Sequence, residues 1–253
     1  MEAYIIKGYR SAVGRAKKGG FKNYRSDDLA VDVIQKLFAD TPEVDPKLVD
    51  DVIVGCANPE GEQGLQIGRQ ISVRALGKEV PGVTVNRYCA SGLETIAMAT
   101  AKIRAGMGHI FVAGGAESMT SIPMTGYKLA PSYMDYLVSM GITAEAVAGK
   151  YNISREAADE FAYNSHMKAA AAIDAGKFND EIVAVEVPDV YVKDGKRVES
   201  SHTVAMDEGV RRSTTPEALA RLRPVFAQGG VVTAGNSSQT SDGVAYTLVV
   251  SEE

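Results

Sequence analysis

Val83-Thr84-Val85-Asn86-Arg87-Tyr88-Cys89-Ala90-Ser91-Gly92, followed by the run from Leu93 to Gly106, is the stretch from which the fold is read. Val83 to Val85 has the make-up of a short buried strand. Beyond it Leu93, Ile96, Ala97, Thr100 and Ile103 recur at helical spacing, and Gly106 supplies a stop signal. Cys89 therefore falls on a tight turn from strand into helix. Backbone N–H groups at a helix start are unpaired and partly positive, so a thiol held there is drawn towards the thiolate, the form that attacks carbonyl carbon. The small residues Ala90, Ser91 and Gly92 leave room for a substrate. The alternative is a buried structural cysteine, the commoner role of this residue type.

Outward from this stretch the same alternation continues. Asp51 to Cys56 reads as a strand, and Leu65, Ile67, Ile71, Val73 and Leu76 as a helix closed by Gly77. Nearer the amino terminus, Ala3 to Gly8 has strand character and Arg10 to Arg25 is a loop rich in glycine and basic residues. Ser26 is the expected cap of a helix with Asp27 and Asp28 in its first turn and Leu29, Ala30, Val33, Ile34, Leu37 and Phe38 on its apolar face. Towards the carboxyl end, Ile110 to Ala113 is a strand running into Gly114-Gly115-Ala116-Glu117-Ser118-Met119, a glycine-lined turn of the kind that faces a ligand crevice or serves close packing.

From Thr120 to Thr233 the pattern changes. Helices begin near Thr143 and Ser154, and a polar hairpin surrounds Lys193-Asp194-Gly195-Lys196. Val244 to Val250 then restores a buried strand, after a loop of small polar residues from Thr233 to Gly243. The expected organisation is an α/β domain of residues 1–119 and 234–253 with an inserted, mostly helical loop domain at 120–233.

At 253 residues and 45% hydrophobic content the chain can bury a sizeable core. Its 27 basic and 32 acidic residues give a net charge of −5, which argues against a general nucleic-acid binder and offers no polybasic membrane patch. Two well-spaced cysteines, Cys56 and Cys89, suit a reducing compartment. No apolar run approaches the ~18 residues of a membrane span, and Met1 to Gly8 leads directly into a strand, so a cytoplasmic protein is expected. The Leu93–Ala105 helix is apolar or small on nearly every side, with Glu94, Lys102 and Arg104 its only charges. Such a helix calls for cover all round, from a partner chain or from a further part of the protein.

Five stretches in order, Val85 to Gly92, Gly114 to Met119, Met140-Gly141-Ile142-Thr143-Ala144-Glu145, Leu222-Arg223-Pro224-Val225-Phe226 and Thr233-Ala234-Gly235-Asn236-Ser237-Ser238, resemble the thiolases, the acetyl-CoA acyltransferases and acetyltransferases. The resemblance spans the whole chain. It implies a layered α/β/α half with an inserted loop domain, packed against a second, similar half so that two nucleophile-bearing helices lie in the middle. It also implies that Cys89 accepts the acyl group, its backbone N–H contributing to an oxyanion hole, and that Met140, Arg211 and Ser238 contact coenzyme A. Taken without the family, Met140 reads equally as core, Arg211 beside Arg212 as a solvated basic pair, and Ser238 as a turn residue.

The family's catalytic histidine in a Gly-His-Pro motif, its second reactive cysteine and its water-holding asparagine belong to the carboxy-terminal half, which is absent from this chain. His109, His166 and His202 stand in no such motif and are expected to be structural or solvated. The implied reaction is cleavage of a 3-oxoacyl-CoA by CoA, or the reverse condensation of two acetyl-CoA. CoA is then a substrate, and that chemistry calls for no metal or redox cofactor. Ser139 stands where many biosynthetic members have histidine, which tilts the expectation to fatty acid degradation. The expected partners are the carboxy-terminal half or a separate chain bearing it, and a second copy in a homodimer or tetramer. Two other functions fit the residues: a non-catalytic CoA-binding or assembly subunit of a split enzyme, and a condensing enzyme of the ketoacyl synthase kind.

Overall fold

The computed structural model describes residues 1–122 and 139–252. It divides into two compact units, Met1–Met124 with Asp180–Glu208 and Thr240–Glu253, and Thr125–Asn179 with Gly209–Gln239. The first unit takes in the hairpin segment, which the sequence pattern groups with residues 120–233.

The first unit is built on one mixed sheet. Its strands are β1 (Ala3–Ser11), β2 (Gly14–Arg15), β3 (Asp51–Gly55), β4 (Gly82–Val85), β5 (Ile110–Ser118), β6 (Ile182–Val183) and β9 (Ser241–Ser251), in the order β4-β3-β5-β9-β1-β6 with β2 also on β9. Strands β3, β4 and β5 run parallel, β9 runs antiparallel between β5 and β1, and β1 pairs in parallel with β6 over two residues. Every residue of Asp51-Val52-Ile53-Val54-Gly55 is buried, as expected of a strand paired on both edges and covered on both faces. The long hairpin of β7 (Val185–Lys193) and β8 (Lys196–Val204) turns at Asp194-Gly195, both at positive φ.

Helices α1 (Ser26–Ala39) and α2 (Ile67–Ala75) pack on one face of the sheet. Leu29, Ile34 and Leu37 of α1 join Ile67 and Ile71 of α2 and Val52, Val54, Val112 and Leu248 of the sheet in the larger core. Helix α3 (Ser91–Arg104) takes the other face, where Ala99 and Ile103 meet Ile53, Phe111, Ala113 and Val249. Only the stripe Ser91, Thr95, Ala99 and Ile103 is buried, four residues apart and therefore on one side of the helix. Leu93 is 73% exposed, and Ala97 and Ala101 are exposed with it. The apolar character of α3 thus exceeds the cover this unit gives it.

Four local expectations change. Ser26 does not cap α1: Arg25 holds that position without a side-chain bond, while the Ser26 hydroxyl is buried without a partner among the described residues. Gly114 to Ser118 is no turn but the second half of β5, paired with β9 along its full length. The glycine is needed there because a Cβ on Gly114 would lie 2.6 Å from the Tyr246 ring and 2.0 Å from the Ala245 carbonyl oxygen. The loop after β1 begins later than Arg10, since pairing with β9 continues to Arg10 and with β6 to Ser11. Leu65 lies outside α2, at φ 59° and 97% exposed.

In the second unit α4 (Met140–Tyr151), α5 (Arg155–Asp174) and α6 (Pro216–Ala220) are capped by Ser139, Ser154 and Thr215. The Asp159 carboxylate, 2.7 Å from Arg155 Nε, accepts 2.8 Å from Asn236 Nδ2. Glu145 accepts from the N–H groups of Val231 and Val232, both at 2.9 Å.

Candidate functional site

Strand β4 ends at Val85 and α3 begins at Ser91, leaving five residues to reverse the chain. Two side chains shape that turn. Asn86 Oδ1 accepts from the Tyr88 N–H at 2.9 Å, and Ser91 Oγ accepts from the Arg87 N–H at 2.8 Å while donating to the Tyr88 carbonyl at 2.6 Å. Tyr88 adopts φ 49°, a left-handed conformation that a bulky residue takes only when its surroundings impose it. The reversal leaves Cys89 exposed, two residues ahead of α3. Among the described residues no backbone carbonyl accepts from the N–H groups of Gly92 and Leu93, so the positive end of the α3 dipole is unquenched from within.

A cavity of about 690 Å³ opens beside the turn. It lies at the carboxyl ends of β1, β3 and β5, where the antiparallel β9 begins, the side of an α/β sheet on which ligands bind. Its wall includes Tyr88, Cys89, Gly92 and Ile96, and its floor is made of small residues, among them Gly8, Gly55, Gly115 and Ala245. Glu117 is on the wall as well, its Oε2 accepting from the Ala57 N–H at 2.7 Å and its Oε1 from Gln63 Nε2 at 2.7 Å. Cys56 is the contrasting thiol: it is 1% exposed, and burial, reinforced by the Glu117 charge, pushes it up to about 12.

A family model described as "Thiolase, N-terminal domain" matches residues 3–253. The chain belongs to the thiolase family. Among its relatives are the 3-ketoacyl-CoA thiolases of Bacillus subtilis, 46% identical over 260 residues, and of Saccharophagus degradans, 41% identical over 258. They match 100% and 99% of this chain and 66% and 64% of their own lengths. The peroxisomal 3-ketoacyl-CoA thiolase 1 of Arabidopsis thaliana is 40% identical over 258 residues, covering 98% of this chain and 57% of its own. The chain thus spans two thirds or less of the length of these thiolases.

The other candidate residues of this thiolase-family chain fall in the second unit, and Cys89 in the first. Met140 opens α4 at 70% exposure, which excludes the core reading. Arg212 pairs with Asp174 through two contacts of 2.7 Å, whereas the Arg211 side chain has no ion pair among the described residues. Asn236 closes the Thr233–Ser238 loop by accepting from the Thr233 N–H at 2.7 Å, with Ser238 left exposed at its edge. Ser139, read as a mark of degradative members, also has a structural task as the α4 cap.

Each histidine has a local partner: His109 Nδ1 meets Ser251 Oγ at 3.0 Å, His166 Nδ1 accepts from the Arg211 N–H at 3.2 Å, and His202 lies between Asp189 and the Gly20 carbonyl. Among the described residues no cluster of three or more His, Cys, Asp or Glu is arranged to hold a metal, and no helix is long and apolar enough to cross a membrane. Sequence reading misses Asn58, which lines the cavity, and Gln63, which is buried in the short 3₁₀ turn Gly61–Gln63 and donates to Glu117. Only the unusual density of polar residues around Asn58-Pro59-Glu60-Gly61-Glu62-Gln63 hinted at an ordered network there.

Proposed function

We propose that the protein to which this chain belongs is an acyltransferase that cleaves 3-oxoacyl-CoA with CoA, through an acyl-enzyme on Cys89. The observation that carries the reading is an exposed thiol on a constrained turn at the start of α3, beside a cavity at the carboxyl ends of the strands. Family membership and relatives named 3-ketoacyl-CoA thiolase support it.

The thiolate of Cys89 attacks the C3 carbonyl carbon, forming a C–S bond and placing the negative charge on oxygen. Collapse of that alkoxide breaks the C2–C3 bond, and the electron pair leaves on C2 as the acetyl-CoA enolate, which takes up a proton. CoA thiolate then attacks the thioester carbonyl, releasing the shortened acyl-CoA and restoring Cys89. Donors at each developing oxyanion contribute on the order of 3 kcal/mol in comparable enzymes. The acid and base for these proton transfers are supplied, in this proposal, by the remainder of the protein, whose packing over Leu93, Ala97 and Ala101 also completes the cover of α3.

Met140, Arg211 and Ser238 are proposed contacts of the CoA moiety. The degradative direction within fatty acid oxidation rests on Ser139 and on the names of the relatives. A homodimer or tetramer is the proposed assembly, consistent with the outer edge of β4 next to the nucleophile turn, which pairs with no strand among the described residues. The test is a thiolysis assay of the full-length protein with 3-oxoacyl-CoA substrates. CoA-dependent formation of acetyl-CoA, abolished in Cys89→Ser, is expected; unchanged turnover in that variant would overturn the assignment.

A further inference from the structure

Beyond Cys89 itself, we propose that Gln63, Glu117 and Asn86 are positioning residues that fix the nucleophile turn through one continuous hydrogen-bonded brace; the proposal rests on the reading of Cys89 as the acylated thiol. The brace starts in the core. Gln63 is 0% exposed, and its Nε2 donates to Glu117 Oε1 at 2.7 Å and to the Asn58 carbonyl at 2.9 Å, while its Oε1 accepts from the Ser118 N–H at 2.6 Å. Glu117 passes the restraint on by accepting from the Ala57 N–H at 2.7 Å. The Ala57 carbonyl in turn accepts from Asn86 Nδ2 at 3.0 Å, and Asn86 Oδ1 accepts from the Tyr88 N–H at 2.9 Å. The next residue is Cys89.

Each amide in the chain has one permitted orientation. Turning Asn86 over would set its NH₂ against the Tyr88 N–H and its oxygen against the Ala57 carbonyl, and turning Gln63 over would set NH₂ against the Ser118 N–H. A brace with a single arrangement transmits position, whereas an adaptable one does not. It also ends on a strained residue, since the Tyr88 N–H held by Asn86 belongs to the left-handed position in the turn. Glu117 is the costly member: a carboxylate on the cavity wall with no Lys or Arg paired to it among the described residues. Its two oxygens instead serve the loop after β3 and Gln63. That loop, the end of β5 and the turn before α3 are joined by this network. Acyl transfer needs the sulfur placed within a few tenths of an ångström of its line of attack, and misplacement of about 1 Å costs roughly a hundredfold in rate.

Asn86→Ala removes both halves of the last link, Asn86→Asp keeps the acceptor for Tyr88 but loses the donor to Ala57, and Glu117→Gln sets an NH₂ against one of two N–H donors. In the full-length protein, the rate of Cys89 acylation by acyl-CoA is expected to fall at least about tenfold in Asn86→Ala and Glu117→Gln and less in Asn86→Asp, with KM within about twofold. Alkylation of Cys89 by iodoacetamide, a small reagent that needs no aligned approach, is expected to keep its rate and pH profile. A brace that only stabilised the fold would lower the melting temperature and leave acylation unchanged in the folded fraction. Unchanged acylation in the folded fraction of Asn86→Asp and Glu117→Gln overturns the proposal, as does a parallel fall in alkylation. Failure of the underlying reading looks different, because the wild-type protein would then not be acylated at Cys89.

Discussion

Two thiols of one chain sit in opposite environments. Cys56 follows β3 directly and lies inside the core, 1% exposed, with Gln63 Nε2 at 3.4 Å from its sulfur and the Glu117 charge nearby; all but a trace of it is a thiol at neutral pH. Cys89 is exposed on the turn. Iodoacetamide at near-neutral pH is therefore expected to add a single carbamidomethyl group, mapped to Cys89, with Cys56 modified only after denaturation. Peptide mapping before and after unfolding checks this, and modification of Cys56 in the native chain would contradict the burial argument. The sequence made Cys89 legible because a strand, a turn and a helix start announce themselves in composition and spacing. It did not reveal the residues that hold the turn. Gln63 lies far from Tyr88 in the chain, and nothing in the sequence near Gln63 says which N–H or carbonyl its amide will meet.

At the scale of elements, the turn that carries Cys89 depends on how closely α3 approaches β3. A Cβ on Gly55 would lie 2.7 Å from the Ser91 carbonyl carbon and 2.8 Å from its Cβ, so no side chain fits between the end of β3 and the first residue of α3. Gly55→Ala forces Ser91 outward, and with it the hydroxyl that holds Arg87 and Tyr88. A loss of about 1–3 kcal/mol by urea denaturation is expected, with slower acylation of Cys89 in the folded fraction. Wild-type stability in this variant would show that the contact is not tight. Helices α1 and α3 were legible from their spacing, α5 from Ser154 at its start, and the hairpin from Asp194-Gly195, whereas α4 begins at Met140, three residues ahead of the expected Thr143. The course of β5 was not, because Gly114-Gly115 has the composition of a turn. What decides it is distant in sequence: the Tyr246 ring and the backbone of β9 need the space that a side chain would occupy. The hairpin's place was not legible for the same reason, since Val185, Val187 and Val204 enter the sheet core and local pattern cannot say which core a buried valine joins.

Across the whole molecule, segments remote in sequence are fastened by a few charged groups whose effect depends on pH. In the first unit, Arg10 of β1 reaches Asp207 with Nη1 at 2.7 Å and Nη2 at 3.0 Å, and the Val13 N–H donates to the same carboxylate at 2.8 Å. Burial opposes ionisation of Asp207, but the Arg10 and Val13 hydrogen bonds outweigh it and hold the carboxyl below its ordinary value. Because the folded-state value is the lower one, this stabilisation is complete above the unfolded value of about 3.9 and is lost as pH falls through the folded value. Asp207→Asn is expected to cost about 1–2 kcal/mol at neutral pH and to converge on wild type in strong acid. Melting temperatures measured from neutral to acid pH check this, and a difference that persisted undiminished in acid would contradict it. The larger question is whether the thiol presented by this fold receives an acyl group. The most direct measurement is the intact mass of the full-length protein after brief exposure to acetyl-CoA, followed by peptide mapping. The account predicts one added acetyl group on Cys89 and none in Cys89→Ser; an adduct on another residue, or equal labelling of the Cys89→Ser protein, would contradict it.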